Sequence, residues 1–280
     1  IPGRWLPAVL LAFFMGWFTH HSRFNPRGGC VVLMTACIDP SSGSRQVSRF
    51  SPVVRLLDYQ NALRFWLSHP DPRLSAVVFI DNSGYALDGL AEYIQTLSSA
   101  RRPIEFLSYS GNSYPPGTDY GYAELGIIDH AFANSELIKE SAYFIKATGR
   151  LVFHSVSRWL NHMPSQLLFA VDSRRNSFFV PSPQAFVASQ LMLFKTDFYG
   201  THLLGIRSLM PHCGTGIEAL FYKKLLPFHR RPGCLLRWPV NVEMRGVAAH
   251  FAGKRYDSPR QRFISLLRAI LRRIAPWWWF

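Results

Sequence analysis

The chain has 280 residues, 48% of them hydrophobic and 15% aromatic, enough for a sizeable core and too apolar for a disordered polymer. Lys and Arg outnumber Asp and Glu by 31 to 17, a formal charge of +14, so anionic partners are expected: phosphorylated substrates, nucleic acid or an acidic membrane surface. Cys30, Cys37, Cys213 and Cys234 show neither Cys-x-x-Cys nor His-x-x-x-His spacing, which signals no zinc or redox motif and favours a reducing cytoplasmic setting.

Residues 1–28 form a first segment, which begins with Ile1. Its apolar run at 5–18, WLPAVLLAFFMGWF, falls short of the roughly 20 residues that span a bilayer. The following THHSRF offers no small-residue cleavage site. The run reads as buried or interfacial, with a truncated membrane anchor as the alternative.

From residue 29 the pattern alternates. CVVLMTACI, 30–38, predicts a strand covered on both faces, and Ser51-Pro52 caps a helix with Val53, Leu56, Leu57, Leu63 and Leu67 on one side. LSAVVFI (74–80) and IEFLSYS (104–110) predict further strands, each followed by a helix: ALDGLAEYIQTL after the first, YAELGIIDHAFANS after the second. AYFIKATG and QLLFAVD are the next strands; Ser182-Pro183 and Ser258-Pro259 predict helices after 182 and after 258. This order predicts an α/β fold around a mostly parallel sheet, with the main domain at 29–250.

Residues 251–280 differ. Phe263, Leu266, Leu267, Ile270 and Ile274 fall on one helical face and Arg262, Arg268, Arg272 and Arg273 on the other, before three tryptophans. The pattern fits an amphipathic helix lying in a membrane interface, the alternative being a terminal helix packed on the domain with a solvated basic face.

In an open parallel sheet, ligands bind beyond the carboxyl ends of the strands. Those ends carry Asp39; Asp81 and Asn82; the loop up to Gly121; Thr148 to Arg150; and Asp172 to Arg174. Asp81 suits a ribose or base edge, or closes its own turn. In YFIKATGRLVF the cations Lys146 and Arg150 interrupt a strand that is otherwise apolar, as a diphosphate clamp would, the alternative being that Lys146 snorkels and Arg150 pairs with an acid. PPGTDYGYAE brings glycines to a helix start, suited to a phosphate, with Thr118 or Asp119 as a simple cap instead. Asp172 could bind a divalent cation or pair with Arg174, and Glu218 could act as general base or pair with neighbouring lysines.

LMTACIDP, Arg55 and Tyr59 on the first helix, FIDNSG, GYAE, NSELI, FIKATGRL, VDSR and GIEALFY follow in this order over about residues 31–226. Together they resemble a group of poorly characterised bacterial glycosyltransferases with a GT-A-like, Rossmann-like nucleotide-sugar-binding fold. The resemblance implies that Thr35, Asp39, Arg55, Asp81 and Asn82 lie near the nucleotide. Gly121, Glu124, Lys146, Thr148, Gly149, Arg150 and Arg174 would line the diphosphate-sugar side. Asp172 would stand where an Asp-x-Asp motif holds Mn²⁺ or Mg²⁺, but this chain reads Asp172-Ser173-Arg174, with a cation in place of the second carboxylate. A metal-independent or weakly metal-dependent transferase is then implied, or an inactive relative.

The sequence thus predicts a cytoplasmic glycosyltransferase peripheral to the inner face of the plasma membrane. It would use a nucleotide-sugar donor, a glycan or lipid-linked acceptor and an anionic membrane surface, with Glu218 or Asp172 as base. The rival readings are a catalytically silent membrane-docking scaffold of the same fold and a nucleic-acid-binding protein. The second is disfavoured because the cations sit singly at strand ends or in the terminal helix.

Overall fold

The computed structural model describes residues 24–42, 48–100, 102–175, 185–248 and 254–275. The apolar run at 5–18, Ser182-Pro183 and the terminal tryptophans lie outside these residues. The main elements are β1 (Cys30–Ala36), α1 (Pro52–Ser68), β2 (Leu74–Asp81), α2 (Asp88–Gln95), β3 (Ile104–Ser108), α3 (Tyr120–Asn134), β4 (Tyr143–Thr148), β5 (Val152–Phe153), β6 (Phe169–Ala170), β7 (Ser173–Arg175), β8 (Ala185–Val187), β9 (Leu191–Lys195), α4 (Ile217–Leu225), β10 (Cys234–Leu235), β11 (Met244–Arg245) and α5 (Pro259–Ile274).

Seven strands form the central sheet in the order β3-β2-β1-β4-β9-β6-β10. β1 pairs in parallel with β2 and β4, β2 with β3, and β6 with β10, while β9 runs antiparallel between β4 and β6. The fold is α/β, a mostly parallel, Rossmann-like sheet flanked by helices and followed by a C-terminal helix, as the strand–helix alternation predicts. Because the chain steps outward from β1 to β3 and then returns to place β4 on the other side of β1, the β1/β4 junction is a topological switch point.

β1 is buried along its whole length, and its alternation serves two cores. Val32, Met34 and Ala36 pack with Tyr59, Ala62, Leu63 and Trp66 of α1, whereas Val31 and Leu33 pack with Leu125 and Ile128 of α3. The same period turns Lys146, in register with Leu33, toward the α3 face of the sheet.

The Ser51 side chain accepts from Val54 N at 3.5 Å, and Pro52 opens α1. The buried face of α1 is rotated from the one the apolar residues suggest. Val53 and Leu57 are exposed, and Arg55 and Tyr59 are buried. These two polar side chains hold the turn after β1: Arg55 Nε donates to Cys37 O at 2.6 Å and Cys37 N donates to the Tyr59 hydroxyl at 2.9 Å. Hydrogen-bonding demand at the strand end outweighs burial of two aliphatic side chains.

Two further expectations change. The helix expected after Ser182-Pro183 is replaced, at its first described residues, by β8, which pairs antiparallel with β7 and alternately buries Ala185 and Val187. The apolar run at 191–195 is β9, the strand inserted between the fourth and fifth predicted strands.

Gly149 follows β4 and donates its N–H to Thr35 O at 3.0 Å. A Cβ there would come within 2.8 Å of that carbonyl and 3.1 Å of the Tyr59 ring. Gly149→Ala is expected to destabilise the chain by about 1–3 kcal/mol in chemical denaturation; an unchanged midpoint would show that β1 and β4 can part to admit a methyl group.

Candidate active site

A cleft of about 990 Å³ lies over the carboxyl ends of β1, β2 and β4, walled by Thr35, Asn82, Thr148 and Arg150 from the sheet and by residues of α3, α4 and α5. β9 runs opposite to its neighbours, so its starting end, with Ser189 and Gln190, reaches the same edge.

On the β1–β2 side, adjacent residues have opposite fates. Asp81 is fully buried and accepts from Ile38 N at 2.6 Å, Ser83 N at 2.8 Å and Ser83 Oγ at 2.7 Å, so it ties the ends of β1 and β2 together and does not line the cleft. It closes its own turn. Asn82 does line the cleft, is 2% exposed, and its Oδ1 has no hydrogen-bond partner. Thr35 lines the cleft at the end of β1. Asp39 does not: its carboxylate accepts from Ser41 N at 2.9 Å in the exposed loop, and hydrogen bonds from the Ser41 side chain and backbone lower its pKa. Arg55 reaches the wall with its guanidinium engaged at Cys37 O, Arg49 O and the Tyr59 hydroxyl, in a bracing role.

On the β4 side, Lys146 is wholly buried and forms an ion pair with Glu124 of α3, with Ser189 O as a further acceptor at 2.6 Å. It does not line the cleft; Glu124, Thr148 and Arg150 do. The expected Lys146–Arg150 clamp is therefore half a clamp. A buried ammonium is retained only with its charge compensated, and Glu124 supplies that compensation. Arg150 Nη1 donates to Val247 O at 2.8 Å, fixing the guanidinium at the cleft wall.

Gly121 is likewise structural. Its N–H is taken by the Asp119 cap at 2.8 Å, and a Cβ would strike Ile217 of α4 at 2.6 Å, so it permits α3 and α4 to cross closely. Gly149 lets β4 approach Tyr59 and stays off the cleft lining.

Glu218, in the first turn of α4, lines the cleft and receives the Ser189 hydroxyl at 3.3 Å. Burial and the nearby Glu124 carboxylate raise its pKa, against the lowering effect of Ser189, Lys146 and Arg174. A carboxylate of raised pKa at a cleft wall has the character of a general base.

Asp172 is fully buried, with one oxygen taken by Arg174 Nε at 2.7 Å and the other by Arg272 Nη2 at 2.6 Å. It is neither open to a metal nor able to reach an acceptor hydroxyl, which corrects both roles expected of it. Burial alone would raise its pKa, but Arg272 and Arg174 reverse that and hold it well below the usual carboxylate range. Among the described residues, no three His, Cys, Asp or Glu side chains gather to hold a metal ion. The donor set therefore does not fit the Mn²⁺ or Mg²⁺ expected of the fold.

Arg272 also ties the terminal helix to the domain. Arg268, Leu271 and Arg272 are on its inner side, and Phe263, Leu266, Ile270 and Ile274 are 45–67% exposed, so most of the apolar stripe faces outward together with Arg262 and Arg273. With Lys254 and Tyr256 just before it, α5 forms a cleft wall that the sequence reading assigned to a separate tail. The sequence reading does not single out Ser189 or Tyr256; the run LMLFK, which forms β9, is the signal that points to Ser189 just before it.

No protein-family model and no curated protein sequence matches this chain. Solved structures with a similar course include core-mannan synthase A from Aspergillus fumigatus in an Mn/GDP form, at 8% identity and TM-score 0.47, covering 91% of this chain and 86% of that one. The mannosyltransferase Ktr4p from S. cerevisiae aligns at 9% identity and TM-score 0.46, covering 91% and 84%. A 4-diphosphocytidyl-2C-methyl-D-erythritol synthase from Anaerococcus prevotii aligns at 6% identity and TM-score 0.43, covering 86% and 96%. At such distances the likeness carries no activity across, and the chemistry of the cleft has to stand alone.

Asp172→Asn leaves two buried arginines uncompensated and is expected to cost roughly 3–5 kcal/mol in urea unfolding at neutral pH. A depressed folded-state pKa contributes stability above the unfolded value of about 3.9, which is lost as pH falls below it. The gap between wild type and variant should therefore narrow below about pH 4; a constant gap would contradict the ion-pair account.

Proposed function

We propose that this chain is a glycosyltransferase that moves a sugar from a nucleotide-diphosphate sugar to a hydroxyl of a cell-envelope glycan or lipid-linked acceptor. The observation that carries this reading is the Asn82 Oδ1, a buried acceptor without a partner at the edge of a switch-point cleft. Native structures rarely leave such an atom unsatisfied, and a base N–H or a ribose hydroxyl is the donor that a strand-end site of this type receives. Thr35 flanks the same position, and the Arg55–Tyr59 brace keeps the loop between β1 and α1 fixed against it.

Arg150 and Arg174 stand on the wall where the diphosphate would depart and offset its charge. Glu218 serves as base toward the acceptor hydroxyl, in an inverting transfer. Taking the acceptor's proton neutralises Glu218 and relieves its repulsion from Glu124, and the Ser189 hydroxyl orients it. No metal enters these steps.

The outward apolar face of α5 docks on an anionic membrane surface at the cytoplasmic side. Exposed Arg260, Arg262 and Arg273 flank Phe263, Leu266, Ile270 and Ile274 and complement anionic headgroups. No described helix is long and apolar enough to cross a membrane. Leu266→Asp with Ile270→Asp should abolish sedimentation with anionic vesicles and leave the melting temperature unchanged; undiminished binding would remove this role from α5.

The transfer reading is tested by release of nucleoside diphosphate from a panel of UDP- and GDP-sugars, with release of CMP from CMP-sugars as the comparison. Glu218→Gln should lower kcat by about 10²–10⁴-fold with donor binding retained. Because a base must be deprotonated, the rate should rise with pH through the raised Glu218 pKa, and Glu124→Gln should move that acid limb to lower pH. Equal rates for wild type and Glu218→Gln would overturn the assignment, and no turnover with any donor would favour the silent scaffold.

A further inference from the structure

Four guanidinium groups, those of Arg174, Arg237, Arg268 and Arg272, lie close around the carboxylate of Asp172. Asp172 pairs with Arg174 and Arg272. All three guanidinium nitrogens of Arg237 are buried with no hydrogen-bond partner. Burial and the adjacent arginines push Arg237 down to about 10 and Arg268 down to about 9. Lys254 and Glu218 line the same cleft.

Burying an unpaired cation costs several kcal/mol unless a counter-charge arrives. The cluster is not sealed, because Arg174 and Arg268 line the cleft. Forked donors converging from two chain segments match the tetrahedral oxygens of a phosphate better than a point charge would.

We infer that Arg174, Arg237 and Arg268 form a binding site for a phosphate or diphosphate group, entered from the cleft beside α5. Arg174 and Arg268 make the direct contacts, and Arg237 backs them. Asp172 orients Arg174 and fixes α5, through Arg272, so that the site exists only when the helix is docked. Two sources offer this chemistry: the donor's own diphosphate, or a phosphate carried by the acceptor. Which of them occupies the site rests on the transferase reading; the anion site itself does not.

Calorimetric titration of the full chain with inorganic diphosphate reads the site directly, and Arg237→Met and Arg268→Gln should weaken binding by about tenfold or more. Repeating the titration with saturating UDP or GDP separates the sources: loss of binding assigns the site to the donor, and retained binding assigns it to an acceptor phosphate. In phosphate-free buffer Arg237→Met should melt no lower than wild type, since the lost cation had no partner. Absence of diphosphate binding by wild type, equal binding by both variants, or a lower melting temperature for Arg237→Met in that buffer would each overturn the site. If diphosphate binds but no nucleotide sugar does, the anion site stands and the transferase reading falls.

Discussion

The Asp172 carboxylate, one oxygen on Arg174 and the other on Arg272, is the contact on which the shape of the cleft depends. It joins the segment after β6 to a helix a hundred residues further on, and it does so in a fully buried setting. A buried ion pair gives little net stability over an apolar pair of the same volume, but removing one partner is severe. Its value here is geometric: it holds α5 against the domain, closes the cleft on one side and leaves most of the apolar stripe of the helix facing outward.

A second buried pair, Lys146 with Glu124, divides the cleft electrostatically. Lys146 neutralises one carboxylate from beneath the surface, so Glu124 can stand near Glu218 and help raise its pKa without two free negative charges crowding the wall. Arg150 and the arginines around Asp172 give the remaining walls a positive character. The β1–β2 end is polar and near neutral, with Asn82 and Thr35. One cavity thus carries the Asn82 and Thr35 acceptors, several arginines and the Glu218 carboxylate.

The parts of this arrangement legible in the sequence are those governed by local period. β1, β2 and β4 are unbroken apolar runs bounded by turn residues, and Ser51-Pro52 and Ser258-Pro259 cap α1 and α5. Pairwise fates over long separation were not legible. The two local pairings, Asp172 with Arg174 and Asp81 with Ser83 in its own turn, are among the alternatives the sequence offers; the long-range ones, Arg272 on the other oxygen of Asp172 and Ile38 N on Asp81, exist only once distant segments lie side by side. The docking of α5 has the same origin: an amphipathic pattern gives two faces but not which residues meet the protein. Lys146 shows the converse case, where an odd residue in a strand was a true signal of a nearby anion, and the anion was the chain's own Glu124.

The central claim is that the cleft at the β1/β4 switch point receives a nucleotide sugar through Asn82. Calorimetry with UDP-, GDP- and CMP-sugars on wild type and Asn82→Ala tests it most directly. The account predicts binding of one nucleotide class by wild type, weakened by about tenfold or more in Asn82→Ala with its melting temperature preserved. Binding that is equal in the two proteins, or absent for every donor, would contradict it.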